Sequence, residues 1–196
     1  MRALSVEVRA DSRVLVRGSG EVTSALLQTL AGLWEAGEGR VVRPPGDGVL
    51  MLPDRPYLPP GTLREVLIAT HDTSHVSDDH IWKAMRAVQI EGVGDRAGGL
   101  DVERRWEDIL PLEEQRLLGV ARILLAAPRF ALLERIDAGV GAARAAFVLT
   151  ALQAGGIGYV VLADEDEALG REHFDAVADI AADGTWSQKP TETVRA

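Results

Sequence analysis

Residues 17–24, Arg17-Gly18-Ser19-Gly20-Glu21-Val22-Thr23-Ser24, occupy a frame in which phosphate chemistry could be done. A phosphate-binding loop runs G-x-x-x-x-G-K-[ST], where the glycines let backbone N–H groups wrap phosphate and the lysine reaches the terminal phosphates. Here Arg17 stands at the first glycine, Val22 at the second and Thr23 at the lysine, while Ser24 keeps the hydroxyl. A second stretch with chemical potential is THDTSHVSDDH, where His71, His75 and His80 lie beside Asp72, Asp78 and Asp79. These are metal-ligand types, but their spacing fits no specific ligand pattern, and the stretch leads into a helix near Ile81 that Asp79 would cap. It reads as a solvated loop, and no metal site is expected.

A phosphate loop is credible only between a strand and the helix it opens. Residues 3–16 alternate as LSVEV and RVLVR around Ala10-Asp11-Ser12, which predicts two short strands joined by a tight turn. Residues 24–34 then place Leu26, Leu27, Leu30 and Leu33 on one helical stripe, with Gly37 and Gly39 as stop signals. Residues 48–52 (GVLML) read as a short buried strand, and prolines at 53, 56, 59 and 60 make the following segment a rigid connector. Thr62 can cap the helix that begins at Leu63.

Residues 82–93 and 112–126 carry amphipathic helical patterns; Leu117, Leu118, Ala121, Leu124 and Leu125 form the apolar face of the second, and Pro128 breaks it. Residues 130–133 and 159–163 are apolar strand runs, separated by a helix over 142–153 that ends at Gly155-Gly156. The chain closes with residues 176–180, an Asp183-Gly184 turn and residues 185–188, a terminal hairpin. Strands separated by helices imply a parallel sheet covered on both faces.

The 196-residue chain suits one domain with a sizeable core. It is 46% hydrophobic and 26% charged, an ordinary globular balance. The absence of cysteine excludes disulfides, thiol nucleophiles and cysteine-based zinc sites. A formal net charge of -9 argues against a nucleic-acid partner, since binding a polyanion depends on clustered Lys and Arg. No apolar run approaches the roughly 18 residues that span a bilayer, and no secretory signal is evident, so a cytoplasmic location is expected.

Four segments together resemble the nucleotide-binding domain of an ABC transporter: LLQTLAGLW (26–34), VLMLPDRPYLPPGTLREVL (49–67), WEDILPLEEQRLLGVARILLAAPRFALL (106–133) and DGTW (183–186). They are most similar to the branch holding the peroxisomal fatty-acyl transporters and their bacterial relatives. The resemblance implies an α/β fold of the P-loop NTPase-like, ABC ATPase-like kind, a mostly parallel sheet flanked by helices. It implies a single domain over residues 1–188 with a small helical subregion over about 62–125, followed by a flexible tail at 189–196.

The resemblance also assigns stations. The loop lysine falls at Thr23, and the glutamine that senses the γ-phosphate and contacts the membrane domain falls at Asp54. The LSLGEQ signature reads Leu110-Pro111-Leu112-Glu113-Glu114-Gln115, with proline in place of the serine and a carboxylate where a glycine amide would meet phosphate. The Walker B aspartate falls at Glu134, the general base at Arg135, the switch histidine at Glu165 and the D-loop aspartate at Gly141. The adenine-stacking aromatic would lie upstream of the first residue. Charge-assisted hydrogen bonds contribute about 1.5–3 kcal/mol each, so loss of the lysine and of the glycine-set loop implies an affinity loss of more than about a hundredfold. Arginine cannot accept a proton at ordinary pH, which removes the base. ABC sites are composite, one subunit supplying the loop and the other the signature, and this chain alters both.

The first functional expectation is therefore a non-hydrolysing pseudo-ATPase: an accessory, regulatory or scaffold protein needing no cofactor, with a homo- or heterodimer through the ABC-type face and a membrane reached only through a partner permease. The second is an ATP-independent enzyme or small-molecule binder in the former nucleotide cleft, lined by Arg17, Thr23, Ser24, Asp54, Glu134, Arg135 and Glu165. There Asp54, Glu134 and Glu165 would be the catalytic acids and bases, since crowded carboxylates raise one another's pKa. A third is an inactive ATP-binding domain of a larger ABC permease, which Met1 weighs against.

Overall fold

The computed structural model describes residues 4–9, 11–35, 37–68, 76–164 and 169–191. In chain order its regular elements begin with β1 (Arg13–Arg17), α1 (Gly20–Ala31), β2 (Val49–Leu52), α2 (Leu63–Leu67), α3 (Asp78–Ala87) and α4 (Glu91–Ala97). They continue with α5 (Trp106–Ile109), α6 (Leu112–Ala126), β3 (Phe130–Glu134), α7 (Ile136–Val140), α8 (Ala142–Ala154), β4 (Gly158–Ala163), β5 (Ala176–Ile180) and β6 (Trp186–Pro190). The chain divides into two compact units, one of Met1–Pro53 with Pro128–Ala196 and the other of Asp54–Ala127.

The first unit holds a six-stranded sheet in the order β2-β3-β4-β1-β5-β6. All neighbours run parallel except β6, which returns antiparallel beside β5 as the expected terminal hairpin. A parallel sheet with both faces covered reads as continuous apolar runs. Val14, Leu15 and Val16 are accordingly all buried, as is every residue of β4. On one face α1 drives Leu26 and Leu27 onto Val16, Leu132, Val160 and Leu162, with Leu4 and Val8 at the margin.

This topology corrects the expectation of two strands over residues 3–16. Only Arg13–Arg17 is a strand, and residues 4–9 are not. The reason is that β1 lies between β4 and β5, so both of its edges are taken and LSVEV has none to pair with. The first helix differs too. It starts at Gly20 instead of 24, and it ends at Gly32, whose φ of 78° puts it in the left-handed region with its N–H on Gln28 O and Thr29 O. Leu33 and Trp34 therefore fall beyond the helix, exposed.

In the second unit α6 is the spine, spanning residues 112–126 as expected, with Leu117, Leu118, Val120, Ala121 and Ile123 buried. Prolines keep residues 53–60 free of helix and strand. Regular contact resumes where Gly61 pairs with Arg104 and Trp106, fully buried, donates its indole N–H to Gly61 O at 2.9 Å. Thr62 then closes a capping box with Glu65. The continuous helix expected over 82–93 is instead α3 and α4, separated where Gln89 takes a φ of 59°. Ser77, not Asp79, caps α3. No helix among the described residues is long and apolar enough to cross a membrane.

Candidate functional site

Open parallel sheets present their chemistry at the carboxyl ends of the strands, where loops leave for the helices. In this sheet β1 ends at Arg17, β3 at Glu134 and β4 at Ala163, and register alone brings Arg17 level with Ala163 and Asp179, and Glu134 level with Leu162. Ser24, in α1 one turn beyond its start, donates its hydroxyl to Glu134 Oε1 at 2.6 Å. The loop hydroxyl and the residue expected at the Walker B aspartate are thus brought together.

The two arginines at this edge are each paired with an aspartate. Arg17 Nε donates to Asp179 Oδ1 at 2.8 Å, and its Nη2 lies 2.7 Å from the same oxygen. Arg135 Nε lies 3.1 Å from Asp164 Oδ2, an ion pair without hydrogen-bond alignment, so that this buried N–H is left unsatisfied. Arg135 also holds a left-handed backbone, φ 47° and ψ 45°, an uncommon state for a side chain of its size, stabilised by its N–H on Leu162 O at 2.8 Å. Asp164 reaches toward the loop as well: a Cβ on Gly20 would lie 3.6 Å from its Oδ1.

The start of α1 is where the sequence placed the phosphate loop. Gly18 is enclosed, its N–H on Ala163 O at 3.2 Å and its Cα within reach of Ile180 O, where an added Cβ would stand at 3.0 Å. The N–H groups of Val22 and Thr23 donate to Ser19 O at 2.9 and 3.0 Å. Thr23 is completely buried, and its hydroxyl turns back onto Ser19 O and Gly20 O, both at 3.2 Å. Thr23, expected at the lysine's station, is therefore a side chain folded onto its own helix.

Asp54 belongs to the other unit. Its carboxylate is taken by Arg116 of α6, whose Nη2 donates to Oδ1 while its Nε donates to the Asp54 carbonyl at 2.7 Å. Glu165 lies outside the described residues, as do His71 and His75; His80 is described and shares a hydrogen bond with the Ser77 hydroxyl through Nδ1. Sequence reasoning missed the three partners Asp164, Asp179 and Arg116. Asp164 could have been found as the first residue beyond the apolar run YVVLA, and Asp179 as the polar position within β5.

No protein-family model matches the chain. It is 32% identical over 191 residues to an uncharacterized ABC transporter ATP-binding protein of Synechocystis, covering 97% of this chain and 29% of that protein. It is 32% identical over 143 residues to mouse ATP-binding cassette sub-family D member 3, covering 70% of this chain and 22% of that protein. An uncharacterized ABC transporter ATP-binding protein of Haemophilus influenzae is 32% identical over 139 residues, covering 70% and 23%. The chain thus spans less than a third of the length of these relatives.

Proposed function

Because the chain is an ABC ATPase-like domain, homologous to ABC transporter ATP-binding proteins that include sub-family D and bacterial members, we propose that it has kept the fold and given up nucleotide hydrolysis. It is a pseudo-ATPase that serves as an accessory, regulatory or scaffold subunit, working on the cytoplasmic side and engaging a membrane only through a partner permease. Dimerisation through the ABC-type face is part of the same reading.

The observation that carries it is the first turn of α1. A phosphate cradle needs backbone N–H groups turned outward around an anion and a lysine above them. In this chain the N–H groups of Val22 and Thr23 close onto Ser19 O, the buried Thr23 stands where the lysine would be, and Glu21 adds a negative charge to the same turn. Arg135, at the station of the general base, carries no proton acceptor and is held by Asp164. Titration calorimetry with Mg-ATP up to millimolar concentration tests the reading. No binding heat and no phosphate release are expected; tight binding with turnover would end it.

The alternative, an acid–base site built from Asp54, Glu134 and Glu165, gains little from the geometry. The pairing of Asp54 with Arg116 commits one of its three carboxylates to a structural cation.

A further inference from the structure

Asp54, expected as a candidate acid or base, is paired instead with a buried arginine. Arg116 is 3% exposed, on a helix that is the core of its unit. A guanidinium at that depth needs a counter-charge, because an uncompensated buried cation is far more destabilising than a lost surface pair. Asp54 supplies it with its carboxylate, which accepts from Nη2, and its backbone carbonyl adds a neutral acceptor for Nε at 2.7 Å. The third nitrogen, Nη1, is buried without a protein acceptor, so Asp54 provides all of the hydrogen bonding shown for this guanidinium.

Asp54 is also the first residue of the helical unit, directly after Pro53. From there to Pro60 the chain has no helix or strand to fix it, and the next backbone pairing is Gly61 with Arg104. A neutral amide at 54 could replace one hydrogen bond but would leave the buried charge uncompensated. Farther along α6, Arg122 grips the incoming chain in a related manner, its Nε donating to Val66 O at 2.8 Å.

We propose that Asp54 is an anchor: the Asp54–Arg116 pair clamps the start of the helical unit onto α6, and the negative charge at residue 54 is what closes the clamp. The aspartate at this station is then explained by Arg116 and not by proton transfer or ligand binding. The proposal stands independently of whether the chain binds nucleotide, since neither partner belongs to the α1 loop.

The test is local proteolysis of the full chain by chymotrypsin, which can cut after Tyr57, 69% exposed and three residues beyond the clamp. D54N is expected to accelerate that cut by about tenfold, with hydrogen exchange in β3 and β4 unchanged, and D54E, which keeps the charge, to restore slow cleavage. Cleavage of D54N at the wild-type rate would overturn the clamp, and so would an equal acceleration of exchange throughout the sheet. If D54N fails to fold, D54N/R116M removes the buried cation together with its partner. That double variant is expected to fold and to be cut rapidly after Tyr57, and slow cutting would again overturn the proposal.

Discussion

Ser24 Oγ donates to Glu134 Oε1 at 2.6 Å, tying the second turn of α1 to the end of β3 across 110 residues of sequence. This bond stands at the centre of the candidate site and has a structural effect whatever the site binds. Hydrogen bonds to carboxylates contribute somewhat more than neutral ones. S24A is therefore expected to lower unfolding free energy by about 1–2 kcal/mol, read from urea denaturation. An S24A variant as stable as wild type would show that the pair contributes nothing to holding α1 on the sheet.

At the opposite end of β1, Arg13 and Asp175 form a bidentate pair, Nη2 to Oδ1 at 2.5 Å and Nε to Oδ2 at 3.2 Å, with Arg13 N also on Oδ2 at 2.9 Å. The side-chain bonds from Arg13 hold the Asp175 carboxyl below its usual range, against an opposing effect of burial. A depressed folded pKa means that the unfolded chain takes up this proton first as acid is added. The contribution is thus complete above the ordinary aspartate value of about 4 and is lost as pH falls through the lower folded value. D175N is expected to be less stable at neutral pH and to lose less stability between about pH 4 and 2, measured as urea midpoints across that range. Because the Asp175 side chain is 42% exposed, screening keeps the effect modest.

The parts of the fold legible in sequence were those set by local pattern. The apolar face of α6, the runs FALL and YVVLA and the Asp183-Gly184 hairpin each carry their own period or turn signal, and the structure places all of them where that signal does. The misreadings were non-local or concerned boundaries. LSVEV alternates like a strand, yet only the sheet order shows that β1 has no free edge for it. The sequence pattern takes Gly37 and Gly39 as the stop signals and runs the helix through Gly32, whose left-handed cap ends it earlier. The same division holds at the site. Arg17, Ser24 and Glu134 could be placed from motif stations, whereas Asp179 and Arg116 depend on strand register and on which residue α6 meets.

Gly94 in α4 offers a case where packing and helix propensity predict opposite signs. Alanine is normally the better helix former by about 1 kcal/mol. An added Cβ at Gly94, however, would collide with the indole ring of Trp82 from α3. Both elements lie in the helical unit, so the conflict is internal to one core. G94A is expected to be destabilising by about 1–3 kcal/mol in urea unfolding. A G94A chain more stable than wild type would mean that the indole moves aside at little cost.

If the first turn of α1 is what excludes phosphate, restoring the lysine alone should fail. At residue 23 a lysine has to leave a fully buried position whose hydroxyl now bonds Ser19 O and Gly20 O, while the N–H groups of residues 22 and 23 remain engaged by Ser19 O. T23K is expected to be destabilised by about 1–3 kcal/mol and to show no Mg-ATP heat. R17G/V22G/T23K also restores glycine at both stations of the loop, lowering the cost of opening the helix start into an N–H cradle. It is expected to bind Mg-ATP with a dissociation constant of about 1 mM or below by calorimetry. Equal binding by T23K and the triple variant would locate the barrier in the missing charge; binding by the triple variant alone would locate it in the backbone, where Val22 and Thr23 now close onto Ser19. Under the proposed reading, hydrolysis is not expected in either case, since the resemblance puts Arg135, which cannot accept a proton, at the general base.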